Sequence, residues 1–206
     1  MSKNILVISA SLRNGSNSDM LADEFMRGAL ESGNKAEKIT LRGKSINFCK
    51  GCLACQKTGK CVIKDDMAEI LPKMQQADVI CFASPVYFYD MCGQLKTFLD
   101  RTNPLFPAEY NFTDIYFLIT AADTEQSASE GPLKGLQGWI DCFENAGLKG
   151  VVCGLGAEKP GDVKSMPAMK RTCLVNRLKA NNCRIENTEH LAKAAGSSSA
   201  KIEFSL

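Results

Sequence analysis

Histidine is almost missing from this chain of 206 residues, which has one, His190, near its end. That scarcity weighs against Ser-His-Asp triads, Cys-His dyads and multi-histidine metal sites. An excess of either charge is missing too: 25 Lys and Arg face 23 Asp and Glu, a net charge of +2. No basic stripe calls for nucleic acid and no acidic tail for disorder. There is no apolar run of about 18 residues, so no spanning helix and no membrane partner is expected. Met1 to Ala10 lacks the charged-then-apolar layout of a secretory leader, and the expected compartment is the cytoplasm. Neither a Walker loop nor a G-x-G-x-x-G fingerprint occurs. What is abundant is cysteine, ten in all, four of them between Cys49 and Cys61. In a reducing compartment these are not a disulfide framework.

The length fits one domain at about 150 residues each. Short apolar runs alternate with helical stripes. Ile5-Leu6-Val7-Ile8 reads as a strand buried on both faces. Leu21, Phe25 and Ala29 then share a helix face that stops at Gly33. A second strand over Lys35 to Leu41 follows. Asp65 and Asp66 favour a helix start. Met67, Ile70, Leu71 and Met74 form its stripe, interrupted by Pro72. Val79 to Phe82, Ile115 to Thr120 and Leu148 to Cys153 supply three more strands. Leu95, Phe98, Leu99 and Thr102 mark one intervening helix. Leu136, Trp139, Ile140 and Phe143 mark another, with Gly147 as its cap. A last helix runs from Pro167 to about Lys179. Five β-α units predict an α/β three-layer sandwich, a flavodoxin-like five-stranded parallel sheet of order 2-1-3-4-5 with helices on both faces. This domain is expected over 1–180, with a Cys-rich insertion at 44–64 and an unassigned tail at 181–206. In such sheets ligands bind at the carboxyl ends of the strands.

The loop after strand one, Ser9 to Ser18, joins a buried strand to a helix. It offers hydroxyls, the Arg13 guanidinium, a flexible Gly15 and free N–H groups at the helix start, the set a phosphate monoester needs. A solvated capping loop would use the same residues. After strand three, Ser84-Pro85-Val86-Tyr87-Phe88-Tyr89 puts three aromatics where polar residues are the norm. They can line a flat apolar ligand, or simply pack on a neighbouring helix. Thr120-Ala121-Ala122 leaves room for a ring to approach. Cys92 lies beside the aromatic loop and could face a ligand. Cys81, Cys142 and Cys153 fall on core faces.

Cys49, Cys52, Cys55 and Cys61 form C-x2-C-x2-C-x5-C. Three thiolates at steps of three residues can bind three corners of one cubane, and a turn at Gly59 returns the fourth. A four-thiolate zinc site and metal-free redox thiols remain the alternatives. Lysines at 44, 50, 57, 60 and 64 lie in a stretch without Asp or Glu. They would favour the reduced form of an anionic cluster and steer an acidic redox partner, or merely solvate the loop.

Ser-x-Arg-x-x-Ser-Asn-Ser at Ser11 to Ser18 resembles the phosphate loop of flavodoxin-like NAD(P)H-dependent FMN reductases. So do Ser84-Pro85-Val86-Tyr87, Gly93-Gln94-Leu95-Lys96, Phe98-Leu99-Asp100-Arg101 and Gly161-Asp162-Val163-Lys164 with Pro167. The cysteine spacing followed by Asp65-Asp66-Met67 resembles the iron–sulfur flavoprotein branch. The resemblance covers about residues 3 to 170, and Asn181 to Leu206 matches nothing in it. It implies FMN, with Ser11, Arg13, Ser16, Asn17 and Ser18 on the phosphate. Pro85, Val86, Tyr87 and Phe88 would lie along the isoalloxazine, with Thr120 at its far edge. Cys49, Cys52, Cys55 and Cys61 would ligate a [4Fe–4S] cluster. No catalytic side chain is needed, because the flavin carries the chemistry.

Two functions follow as expectations. One is an enzyme in which NAD(P)H reduces FMN and FMN reduces a quinone, free flavin or other small-molecule acceptor. The other is an electron carrier fed by ferredoxin through the cluster. A zinc-stabilised or metal-free flavodoxin-like binding module is a third. The resemblance implies a homodimer or homotetramer.

Overall fold

A computed structural model of the chain describes residues 2–177. The tail expected at 181–206, with Cys183 and His190, lies outside them, as does the expected end of the last helix at Lys179. The elements in order are β1 (Asn4–Ser9), α1 (Asn17–Glu31), β2 (Lys35–Thr40), α2 (Ala54–Thr58) and α3 (Met67–Gln76). Then come β3 (Val79–Tyr87), β4 (Asp90–Met91), α4 (Gly93–Asp100), β5 (Asp114–Ala121), α5 (Glu130–Ile140), β6 (Gly147–Leu155) and α6 (Pro167–Arg177). Five strands pair in parallel in the order β2-β1-β3-β5-β6, which is the expected 2-1-3-4-5 order. The sixth, β4, is a short antiparallel partner of β3.

Alternation along the strands builds two apolar layers. Leu6, Ile8, Ile80, Phe82, Phe117 and Ile119 face the helices α3, α4 and α5. Ile5, Val7, Val79, Cys81, Leu118 and Val152 face α1 and α6. β1, β3 and β5 are covered on both faces, which is why they read as continuous apolar runs. β2 is an edge strand, and of its residues only Ile39 is fully buried.

Three local readings are corrected. Ser84 to Tyr89 is not a plain loop: β3 continues to Tyr87 and turns back into β4. Pro85 is tolerated because β1 pairs with β3 only as far as Ala83, so its missing N–H robs no neighbouring strand on that side. Gly147 does not cap a helix. α5 ends at Ile140, and Gly147 opens β6 opposite Asp114. Pro72 does not stop α3, which runs through it to Gln76.

Candidate functional site

The ends of β1, β3 and β5 converge at one edge of the sheet. Pro85 sits in register with Thr120, and the Cys92 thiol reaches the Ala10 carbonyl at 3.7 Å. Cys92 is fully buried and also contacts the Ser84 hydroxyl at 3.4 Å. Its thiol ties the β1 and β3 ends together. Cys142, expected in the core, is exposed because the helical turns end just before it; Cys81 and Cys173 are buried.

In the loop after β1, Ser11, Ser16, Asn17 and Ser18 are buried, while residues 12–15 at its tip are exposed. Ser16 caps α1, its hydroxyl accepting from the Asp19 N–H at 3.1 Å. The N–H groups of Asn17 and Ser18, first in α1, find no backbone acceptor. The Ser18 hydroxyl is fully buried and has no hydrogen-bond partner among the described residues. Such a group costs about 1–3 kcal/mol unless a ligand satisfies it. Here it sits beside the positive end of α1, where an anion would satisfy it. These donors fit a phosphate monoester such as that of FMN.

Asn17 departs from its expected role. Its side-chain amide donates to the carbonyls of Ala157 at 3.2 Å and Lys159 at 2.8 Å, and its oxygen accepts from the N–H groups of Gly161 and Val163. The side chain is thus used up in docking the loop after β6 onto α1, which leaves only its backbone N–H for a phosphate. Arg13 is exposed and donates weakly to the Glu158 carbonyl at 3.4 Å. Sequence reasoning missed Arg42, whose guanidinium reaches the Arg13 carbonyl at 3.5 Å and adds a second cation to the loop mouth. It also missed Asp19. Burial raises that carboxyl's pKa, but bonds from Ser9 at 2.7 Å and Lys38 at 3.1 Å, with the charges of Lys38 and Arg42, outweigh it and hold the pKa below its ordinary value.

At the end of β3, Pro85 and Val86 are half-buried, while Tyr87 and, just beyond the strand, Phe88 are exposed at 52% and 102%. Phe88 and Tyr89 occupy the two central turn positions with φ of 51° and 60°. The mirror-image hairpin turn demands this geometry and normally recruits Asn or Gly for it. The Tyr89 hydroxyl donates to Asp123 at 2.9 Å, fastening the hairpin to the loop after β5. Thr120 is buried at the end of β5. A separate cleft of about 290 Å³, lined by Asn4, Lys35, Glu37, Lys73 and Gln76, opens at the other end of the strands, away from this edge.

The cysteine loop leaves the same molecule between β2 and α3. Cys49 and Cys52 are exposed, Cys61 is half-buried and Cys55 is buried. Burial pushes the Cys55 thiol up, and the charges of Cys61, Cys49 and Cys52 push it the same way, so those three lie within electrostatic reach of Cys55. Among the described residues no three His, Cys, Asp or Glu side chains converge as the ligands of one metal ion would. A cubane spaces its thiolates more widely than a single ion does, and the donor set, four free thiols in one loop, is the one it requires. Leu53, at φ 53°, and Gly59, at φ 69°, bracket the short helix α2 that carries Cys55.

Comparison with known proteins follows the same lines. The sequence pattern of the NADPH-dependent FMN reductases matches residues 3–130. An iron–sulfur flavoprotein of Methanocaldococcus jannaschii is 44% identical over 101 residues, 49% of this chain and 52% of its own. The match thus spans about half the length of that relative. A Bacillus subtilis protein, named as an NAD(P)H-dependent FMN-containing oxidoreductase, is 30% identical over 172 residues, covering 77% of this chain and 88% of its own. The solved NAD(P)H:quinone oxidoreductase of Methanothermobacter marburgensis superposes with a TM-score of 0.64 at 19% identity, over 86% of this chain and 94% of its own, and shares the fold. The phosphate-type loop, the sheet order and these matches have one reading: the chain belongs to the NADPH-dependent FMN reductase family.

Proposed function

We propose that the protein binds FMN at the carboxyl edge of its sheet and works as an NAD(P)H-dependent flavin- or quinone-type oxidoreductase carrying a [4Fe–4S] cluster. The observation that carries the reading is the Ser18 hydroxyl, fully buried, without a partner, and set at the start of α1 among unused N–H groups. Ser11, Arg13, Ser16 and Ser18 take the phosphate, with Asn17 contributing its backbone N–H. Pro85 to Phe88 and Thr120 flank the ring. Bound FMN accepts a hydride as an electron pair and can release the electrons singly. The chain's own work is to bind, orient and shield the ring. The Tyr89–Asp123 bond fixes the hairpin beside the ring.

Cys49, Cys52, Cys55 and Cys61 hold the cluster. The exposed lysines 50, 57, 60 and 64 around them favour a second reading, an electron carrier that receives electrons from ferredoxin. The protein works as a homodimer or homotetramer. Two measurements test the proposal. Arg13→Ala should weaken FMN binding by about 1–3 kcal/mol, the cost of a lost charge-assisted bond, and leave riboflavin binding alone. Equal affinity of the variant and the parent for FMN would refute the phosphate assignment. Protein purified anaerobically should contain about four irons and four sulfides per chain. One zinc with no sulfide assigns the loop to the structural class, and no metal after reconstitution leaves only thiols.

A further inference from the structure

Arg101 is the largest fully buried side chain of the described residues, 1% exposed, yet none of its hydrogen-bond partners belongs to the FMN donors. Its guanidinium is engaged in a way that points at the cysteine loop. Nη1 donates to the Asn47 carbonyl and to Asp65 Oδ2, each at 2.6 Å. Nη2 donates to Asp65 Oδ1 at 2.9 Å and to the Cys61 sulfur at 3.6 Å. Asp65 in turn accepts from the Asn47 N–H at 2.9 Å and from the Met67 N–H at 3.2 Å. Asn47 stands two residues before Cys49, and Asp65 four residues after Cys61. The pair therefore pinches the neck of the loop that carries all four cysteines and bolts it to the end of α4.

A buried ion pair is a poor device for stability alone, because desolvating both ions offsets most of their attraction. This one also leaves the Arg101 Nε without a partner among the described residues. Its distinctive yield is position: one planar fork fixes both ends of the loop and still has an N–H aimed at a sulfur. We infer that Arg101 is a positioning residue for the cluster, setting the loop neck and donating a charge-assisted hydrogen bond to the Cys61 thiolate. This rests on the cluster reading above. Hydrogen bonds and positive charge at ligand sulfurs favour the reduced, more negative form, so Arg101 holds the cluster's potential up. Lysine cannot replace it, since an ammonium lacks the fork needed to reach Asn47, Asp65 and Cys61 together.

The test compares the full chain with Arg101→Gln and Arg101→Lys, each reconstituted anaerobically. It reads iron and sulfide content, the cluster midpoint by EPR-monitored titration, and the rate at which a chelator strips iron. Urea unfolding of the metal-free proteins and FMN binding check the fold. The expected result is a lower midpoint and at least tenfold faster iron loss in Arg101→Gln, with Arg101→Lys between it and the parent, while FMN affinity is kept. A purely structural staple would change urea stability without moving the midpoint. If both variants match the parent in midpoint and stripping rate, the inference fails while the cluster reading stands. If Arg101→Gln does not fold, Arg101→Lys decides by the same two readings. A parent chain that takes up no iron and sulfide overturns the cluster reading, and this inference with it.

Discussion

Ser18 is a residue whose cost in the free protein and use in the complex have opposite signs. Its hydroxyl is buried and unsatisfied, so Ser18→Ala should raise the stability of the FMN-free protein slightly, as seen in a urea midpoint. The same change should weaken FMN binding by about 1.5–3 kcal/mol, the range for a bond to a charged group, without affecting riboflavin, which has no phosphate. Asp19 gives a pH prediction. Its folded pKa lies below the ordinary 3.8, so its contribution is complete above that value and is lost as pH falls through the depressed one. Urea midpoints of the parent and Asp19→Asn should therefore differ at neutral pH and approach each other below about pH 3.8. A gap that persisted into acid would mean that the Ser9 and Lys38 contacts do not depend on the charge.

Among the elements, the β3–β4 hairpin combines strain with exposure. Phe88 holds a left-handed conformation at φ 51° while being 102% exposed, so it has the penalty without burial in return. A left-handed residue other than Gly or Asn costs about 1–2 kcal/mol. Phe88→Asn should then raise the melting temperature, and it should weaken flavin binding if the aromatic lies along the ring. A second pair of substitutions separates backbone from side-chain contact on α5. A Cβ at Gly131 would lie 2.0 Å from the Tyr89 carbonyl oxygen, a backbone atom that cannot yield without moving the hairpin. Gly131→Ala should cost about 1–3 kcal/mol, despite alanine's better helix propensity. At Gly135 the obstacle is the end of the flexible Met91 side chain, 2.8 Å away. Gly135→Ala should be neutral or stabilising by up to about 1 kcal/mol in thermal unfolding.

For the molecule as a whole, the charge that matters is its distribution. The net charge is only +2, yet Lys50, Lys57, Lys60 and Lys64 are exposed on one loop with no acid among them. Should an acidic one-electron carrier dock there, its encounter with the protein would be fast at low salt and slowed by screening. Ferredoxin-driven FMN reduction should slow steeply as ionic strength rises. Lys57→Glu with Lys60→Glu should slow it at low salt while leaving FMN affinity unchanged. NAD(P)H-driven reduction should barely respond, because the hydride arrives at the ring. Fast turnover with NAD(P)H and none with reduced ferredoxin would leave the oxidoreductase alone.

The sheet was readable because β1, β3 and β5 are buried on both faces, and a doubly buried strand must be apolar throughout. The donor-rich loop after β1 was readable because its residues are local: hydroxyls, glycine and a helix start within ten residues. The cysteine spacing was readable for the same reason. What the sequence could not show was which atoms distant partners engage. Asn17 looks like a phosphate donor until its amide meets the carbonyls of Ala157 and Lys159, more than 130 positions along the chain. Cys92 looks free until Ser84 and Ala10 enclose it. Arg101 shows in the sequence only as the end of a motif, and its partners Asn47, Asp65 and Cys61 are brought to it by folding. Local pattern and composition thus determined the strands and the donor types at the sheet edge, while the strand order, expected from likeness to a flavodoxin-like sheet, is set by the pairing itself. Which donors are spent on the protein and which remain for a ligand was decided only by the tertiary structure, because hydrogen-bond satisfaction depends on neighbours that folding brings from elsewhere in the chain.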